Sequence, residues 1–490
     1  MKHIATCLIF LLSSFILSSQ TITARIIDNG TKMPIPYATV KTSDYTGVIS
    51  NEDGYFTISA EDTSKIISIS CMGYEGKEFS IETIRKLNFV IALKEALNKL
   101  DEVYISNNRP NVDSIIARVK SKTAVNYSVD LRQYNLFKRS TDYVDFKSLD
   151  FEIEKASHVS DKNINEANKS LAAMGKQIME SNIKSFSDFK GTLYTLNKDS
   201  SKISVEKATK LLDHKNDFSI DNIEKNGKKI VLTYLDTTKT YKLKTGIFKI
   251  EDSLSLQDAD FEEENKNELE LKNLNSSTRG LLKRSQFYKD SFMNKLLNAE
   301  YYDYELKDVV FNDEELTYII NFEPRKGKAK YEGTLYVSDD SYAVKRVDYR
   351  YYKNRHGDKF NLKLLLGVKY ISNVSEGTII YEKDSSNRYQ PKYIKRLTGS
   401  YFYVSRELKF IENSDNNYKV RFDFTLEGDQ RNQVELLITS NNKLTVPDFS
   451  VIPQAEKVPI QTLSTYEKTL WENEAIIEPT LEMKSFDVSN

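Results

Sequence analysis

The sequence predicts a mainly β chain with a helical insert: a small N-terminal β-sandwich followed by a large antiparallel β-sheet or half-barrel. Three observations predict it. Strand-like runs recur about every ten residues over 21–105, with turn residues at each break. Long apolar/polar alternation returns over 301–440. The chain also carries 30 Tyr and 24 Phe against one Trp, a usage that suits half-buried strands. At 490 residues it has room for roughly two to four domains. With 70 basic and 71 acidic residues and a mean hydropathy of −0.52, its charge gives no reason to expect nucleic acid or an acidic membrane as partner.

Residues 1–19 read as a secretory signal peptide. Met1-Lys2-His3 precedes an apolar run over 4–17, short of the roughly 20 residues that span a bilayer. Cys7 falls inside that run, and no cysteine follows it to take a lipid. Cys71 then stands alone at the end of Ile67-Ser-Ile-Ser-Cys71, where a buried inert thiol is the expectation. No later run is long and apolar enough to predict a transmembrane helix.

The first domain is expected over 20–106, with strands at 21–27, 38–41, 47–50, 55–59, 65–71, 77–81 and 87–93. Asp53-Gly54 is the strongest hairpin signal, because glycine supplies the positive φ such turns need. Asn51, Glu52 and Asp53 offer oxygens, but the other ligands of a calcium loop are missing, so a turn is expected. Four motifs sit on these strands and turns: Ala24-Arg-Ile-Ile-Asp-Asn-Gly30, Pro34-Ile-Pro-Tyr-Ala-Thr-Val40, Gly47-Val-Ile-Ser-Asn-Glu-Asp-Gly-Tyr-Phe56 and Ile67-Ser-Ile-Ser-Cys-Met-Gly-Tyr74. In this order they resemble the carboxypeptidase-regulatory-like domain, a transthyretin-like β-sandwich. Leu100-Asp-Glu-Val-Tyr104 resembles the segment that closes this domain in proteins of the Bacteroidota cell envelope. Each motif is a turn or the start of a strand, so the resemblance implies a fold and no catalysis.

A helical or mixed connecting region is expected over 107–300. Asn111 caps a helix carrying Ile115, Ile116 and Val119. Ile164, Ala167, Leu171, Met174 and Ile178 form one apolar stripe, which argues for a core-facing helix. Further helices are expected over 205–212 and 281–297. Acidic residues crowd 258–270, which reads as a solvated surface.

Over 301–440, eight to ten antiparallel strands are expected, with turns at Asn312-Asp313, Asp339-Asp340, Arg355-His356-Gly357, Asp384-Ser385-Ser386, Ser414-Asp415-Asn416 and Gly428-Asp429. A membrane barrel is disfavoured. Strands 342–352 and 392–409 carry charges at both parities, and each Lys or Arg at a bilayer midplane costs about 2–4 kcal/mol. The tail 441–490 holds Pro447, Pro453, Pro459 and Pro479 and reads as an extended strap, anchored by Trp471 with Leu470 and Tyr466.

Phe287-Tyr-Lys-Asp-Ser-Phe292, Tyr301-Tyr-Asp-Tyr304 and Leu470-Trp-Glu-Asn473 resemble Bacteroidota envelope proteins in which a regulatory-like domain precedes a β-rich region. Tyr331-Glu-Gly-Thr-Leu-Tyr-Val337 with Ser341-Tyr-Ala-Val344 belongs to the same resemblance. It is also similar to the strand pattern of half-barrel periplasmic lipoprotein carriers.

Chemistry was sought at each reactive residue type. His158, His214 and His356 lack the glutamate spacing of a zinc peptidase, and no His-Glu-x-x-His occurs. There is no Gly-x-Ser-x-Gly elbow, phosphate loop or Rossmann glycine pattern. No catalytic, cofactor-binding or metal-binding residue is assigned, and no cofactor is expected. The expected function is a non-enzymatic binding or assembly module, secreted across the inner membrane to the periplasm or outer membrane. Its partner would be an envelope protein, a lipid or a polysaccharide; nucleic acid is not expected, and any membrane contact would be peripheral. Two alternatives stay open. A half-barrel carrier of lipid or of a lipidated partner needs a contiguous apolar concavity. A carboxylate-dependent hydrolase of glycans needs two acids roughly 5–10 Å apart in a cleft.

Overall fold

The computed structural model describes residues 21–43, 46–59, 66–96, 111–129, 131–181, 183–212, 229–230, 232–246, 248–256, 268–312, 315–472 and 474–486. The expected leader, the 100–104 motif, His214, the Asn312-Asp313 turn's second residue and residues 258–267 of the acidic run lie outside them.

Seven short strands build the N-terminal sandwich: β1 (Thr21–Asp28), β2 (Thr39–Lys41), β3 (Gly47–Ile49), β4 (Tyr55–Ser59), β5 (Ile66–Ser70), β6 (Lys77–Ser80) and β7 (Val90–Leu93). One sheet has the order β4-β1-β7 and the other β3-β2-β5-β6. Alternation on β1 buries Ile22, Ala24 and Ile26 against Phe56, Ile69 and Ile91. A short helix α1 (Ile81–Lys86), capped by Ser80, takes the place of the expected end of β6. Gly54 sits at φ +79, as the Asp53-Gly54 turn requires.

The rest of the chain is one large, mainly β unit. Helix α2 (Val112–Asn126) begins at Asn111, whose side chain accepts from the Ser114 amide at 3.1 Å. Then come β8 (Arg132–Ala156), α3 (Asp161–Glu180), β9 (Ile183–Thr195), β10 (Ser201–Leu211), β11 (Thr240–Thr245), β12 (Phe248–Ser255) and β13 (Glu268–Glu270). Helices α4 (Leu271–Ser285) and α5 (Phe292–Leu296) lead into β14 (Tyr302–Asn312), β15 (Glu315–Pro324), β16 (Tyr331–Ser338) and β17 (Val344–Tyr351). A hairpin of β18 (Lys359–Leu362), α6 (Lys363–Leu366) and β19 (Val368–Lys383) precedes β20 (Tyr389–Glu412) and β21 (Lys419–Lys443). The tail holds α7 (Val446–Val451), β22 (Lys457–Pro459), β23 (Gln461–Leu463), a 3₁₀ turn at Lys468–Trp471 and α8 (Leu481–Lys484).

The sheet runs β14-β15-β16-β17-β19-β20-β21-β8-β9-β10-β23, and this path is open at both ends. Strands β8 and β21 are 25 residues each, roughly 80 Å of extended chain. Such strands need cover along their whole length, and two separate covers supply it on the inner face. Over one half, α2, α4 and α5 bury Ile116, Leu282 and Met293 against Ile320, Leu335, Ile394 and Leu436. Over the other half, α3 and the β11–β12 hairpin pack on Ile153, Phe410 and Phe422. The concavity expected of a half-barrel is therefore filled at both ends.

Four expectations are corrected. Residues 205–212 are strand rather than helix: a bulge between Val205 and Lys207 flips the parity, so Ile203, Val205 and Ala208 face inward at a spacing that mimics a helical period, while Leu211 packs on the other face with Phe186 and Met483. Region 107–300 is no separate connector, since its β8, β9 and β10 pair directly into the sheet of the later strands. Gly428-Asp429 is no turn but continuous strand in β21, opposite a bulge at Lys147 of β8. The expected helix over 281–297 is divided into α4 and α5 by residues 286–291.

Candidate functional site

Beside the first cover, three cations gather at the inner face of the sheet, Lys138 and Arg396 from its strands and Arg284 from α4. Cross-strand register puts Lys138, Ser140 and Asp142 of β8 on the same face as Leu436, Val434 and Asn432 of β21, and those beside Ile394, Arg396 and Thr398 of β20. Lys138 lies beneath α4, 6% exposed, and its Nζ donates to Ser277 Oγ at 2.9 Å. Burial pushes its ammonium down to about 8, against a weaker upward pull from Asp142.

Arg284, in the last turn of α4, reaches over β16 and β17. Its Nε donates to Tyr349 Oη and its Nη2 to Tyr331 Oη, both at 3.2 Å. The guanidinium carbon lies 3.5 Å from the centroid of Phe292, a cation–π contact. Burial raises the Tyr331 hydroxyl, but the Arg284 charge and the Ser375 hydroxyl outweigh it and the net direction is down.

Arg396 has no hydrogen bond or ion pair to any described residue, and its Nε is buried without a partner. Its pKa is lowered, first by burial and then by the charge of Arg284. Neither arginine is paired with a carboxylate among the described residues.

The floor beside them is made of small side chains. Gly377 pairs with Arg396, and a Cβ there would lie 2.7 Å from Tyr349 Oη, so glycine is what lets that ring lie on the strand. Ser375 pairs with Thr398 and Ser372 with Ser400 on the same face. Farther along, Tyr370, Phe402 and Val404 are half-buried, and Phe146 meets Phe402 edge-on at 6.0 Å. We term this strip of the inner face the trough: two guanidiniums and tyrosine hydroxyls stand at its head, small hydroxyl-bearing residues along its middle, and aromatic and aliphatic groups at its far end. Planar guanidiniums without acids match phosphate or carboxylate.

The outer face of the same strands has its charges paired. Arg139, 2% exposed, holds Asp188 through two bonds of 2.8 and 2.7 Å. Tyr393 donates to Glu435 at 2.6 Å; burial raises that carboxyl and the Arg139 charge opposes it. Here the strap and the sandwich come together: Trp471, Ile476 and Ile477 share one apolar cluster with Phe137, Leu437 and Ile49. Trp471 meets Phe137 edge-on at 5.3 Å, and Tyr37 stacks on Tyr393 at 5.3 Å. Lys395 bonds Glu52 and the Tyr37 hydroxyl.

Two features of the sandwich decide what it is: two facing sheets, and turns at the places the motifs require. Residues 22–105 match the family model described as the CarboxypepD_reg-like domain. The sandwich is a CarboxypepD_reg-like domain. Its 51–54 turn latches the strap rather than a cation. Asn51 Oδ1 accepts from the Asp53 and Tyr55 amides at 3.0 and 2.8 Å, while Nδ2 donates to the carbonyls of Glu478 and Pro479 at 3.1 and 3.0 Å. Burial raises the Glu52 carboxyl, and Lys395 outweighs it to hold the group below the usual range. No curated protein matches the chain. Among solved structures it is similar to a crystal structure described as an outer membrane lipoprotein-sorting protein domain from Vibrio parahaemolyticus. Identity is 8% and the TM-score 0.22, over 69% of this chain and 97% of that one.

Beside the docked CarboxypepD_reg-like domain, the outer face holds a cavity of about 390 Å³ over β15–β20. Two of its carboxylates are already engaged: Glu332 with Arg350 at 2.8 Å, and Asp348 with Arg346 at 2.9 Å and Thr378 at 2.7 Å. On the far half of the outer face, Asp423 is pushed up to about 7 by burial and by the neighbouring Glu154 and Glu407. Arg421 bridges those two glutamates on a half-exposed strand surface.

Cys71 is buried in the domain core. His158 lies near Tyr418, and His356 sits in its turn with Nδ1 3.0 Å from the Gly357 carbonyl. Among the described residues no His, Cys, Asp and Glu group could hold a metal ion. The sequence reading missed Arg284 and Arg396. One signal was available: both stand at core-facing positions, Arg396 two residues after Ile394 and Arg284 three after Leu281.

Proposed function

We propose that this protein is a non-enzymatic binding module of the cell envelope, and that the trough on the inner face of its sheet holds an amphiphile with an anionic head. The observation that carries this reading is the Arg284–Arg396 pair, two guanidiniums within reach of each other's charge and without a carboxylate. Leaving a buried donor unbonded costs about 1–3 kcal/mol, and like charges add to it. A phosphate or carboxylate bound across both groups relieves both costs. Tyr370, Phe402 and Val404 lie farther along the same face and suit an apolar tail. The filled ends of the concavity confine this ligand to the middle of the sheet, which favours a bound amphiphile over a cargo that occupies a whole half-barrel. Arginine does not exchange protons near neutral pH, so the head of the trough is suited to holding an anion rather than to acid–base chemistry. The envelope address rests on the leader-like residues 1–19.

Titration calorimetry of the full chain with octyl phosphate, octyl glucoside and inorganic phosphate tests the reading. Octyl phosphate is expected to bind at least about tenfold more tightly than either control, and Arg284→Gln with Arg396→Gln to remove that advantage. Equal binding of octyl glucoside would contradict the anionic head, and turnover of peptides, esters or glycans in a broad screen would end the non-enzymatic claim.

A further inference from the structure

We propose a second contact surface, at the apolar end of the trough where Phe360 stacks on Tyr370: the tip of the β18–α6–β19 hairpin docks on an anionic lipid bilayer. The tip reads Lys359-Phe-Asn-Leu-Lys-Leu-Leu-Leu-Gly-Val-Lys369. Leu364 is fully exposed, Leu365 is 71% exposed, and Phe360 and Leu362 are 45% and 41% exposed. Single exposed apolar residues are ordinary, but four on one protruding hairpin mark a contact surface.

The backbone of this tip is ready for a dry interface. Strands β18 and β19 pair from Lys359↔Ile371 to Leu362↔Val368. The Gly367 amide donates to the Lys363 carbonyl at 3.0 Å, and the Gly367 carbonyl accepts from Ser405 at 2.8 Å. Shallow burial in an interface would therefore leave few amides unbonded.

Charge selects the occupant. Lys359, Lys363 and Lys369 alternate with the apolar residues, and the sequence has no Asp or Glu from 359 to 375. The Lys363 and Lys369 ammoniums lie 3.8 and 5.0 Å from the ring centroids of Tyr403 and Tyr401, beside the sheet. Cations at the base and leucines at the end form the pattern of an interfacial anchor on anionic lipid. A second copy of the same tip is the poorer occupant, because it would bring three more lysines against these.

Co-sedimentation of the full chain with vesicles tests this, using phosphatidylcholine alone and phosphatidylcholine mixed equally with phosphatidylglycerol. At low salt the chain is expected to bind the mixed vesicles at least about tenfold more tightly than the neutral ones. Leu364→Ser with Leu365→Ser, at exposed positions and checked for folding by circular dichroism, is expected to lose at least about tenfold on the mixed vesicles. Replacing Lys359, Lys363 and Lys369 by Gln is expected to abolish the lipid preference and its salt dependence. Absence of binding to the mixed vesicles, or wild-type binding by the double leucine variant, overturns the proposal. So does a wild-type dimer that the same variant dissociates. That variant is expected to keep its octyl phosphate binding, so this proposal and the ligand reading can fail separately.

Discussion

The two faces of the large sheet treat charge in opposite ways. Arg139 and Arg396 stand only two strands apart, yet the outer one holds Asp188 through two bonds and the inner one has no partner among the described residues. Beneath the joint of strap, sandwich and sheet, outer-face charges are engaged: Arg139 holds Asp188 and also donates to the Glu478 carbonyl of the strap, and Lys395 bonds Glu52 of the sandwich. On the inner face Lys138 bonds Ser277 of α4, Arg284 belongs to α4 itself, and Arg396 has no partner among the described residues. A charge completed by the chain itself does structural work, and one left incomplete at low exposure is where a group from outside can bind.

Mutation of the joint should give the largest effects. Trp471→Ala is expected to destabilise the chain by about 3–5 kcal/mol in chemical denaturation, because it opens a cavity where strap, sheet and sandwich meet. Arg139→Leu is expected to cost a similar or slightly smaller amount, about 3–4 kcal/mol, by stranding Asp188 at 2% exposure. A small loss in either variant would break the view of the outer face as the structural one.

The inner face should respond in the other direction. The Lys138 ammonium titrates near 8 when folded against 10.5 unfolded, so between those values the unfolded chain binds more protons and stability rises with pH. Below about pH 8 the full cost is present. Lys138→Met is therefore expected to raise stability at pH 7 by about 1–3 kcal/mol and to flatten the rise above pH 8. Arg396→Gln is expected to change stability by less than about 1 kcal/mol, since no internal partner is lost. Glu52→Gln should give the smallest loss of all, about 0.2–1 kcal/mol, because its pair with Lys395 is only partly shielded from water.

How much of this was legible follows from how local each signal is. Six of the seven sandwich strands begin and end within a residue of the expected bounds, because each turn has its own Gly, Asn or Asp. Strand β7 starts three residues late, where Leu87, Asn88 and Phe89 close α1 instead. Trp471 was legible as an anchor from its size alone. Strand β8 was not, because its middle is polar on both faces: Arg139 serves the strap side while Lys138, Ser140 and Asp142 face the trough. The site was the least legible part. Arg396 at a core parity can be read from sequence, but its lack of a partner depends on where α4 brings Arg284, which no local pattern encodes.

The most direct test of the contrast between the faces is the stability gained from ligand in chemical denaturation of the full chain. With octyl phosphate at about a hundred times its dissociation constant, the wild-type chain is expected to gain about 2.7 kcal/mol. The Arg284→Gln, Arg396→Gln variant is expected to gain almost nothing at that concentration, and to start about 1–3 kcal/mol less stable without ligand because Arg284 loses its contacts to Tyr331, Tyr349 and Phe292. An equal gain in the variant would show that the unpaired arginines do not hold the anion, and the account of the inner face would fall.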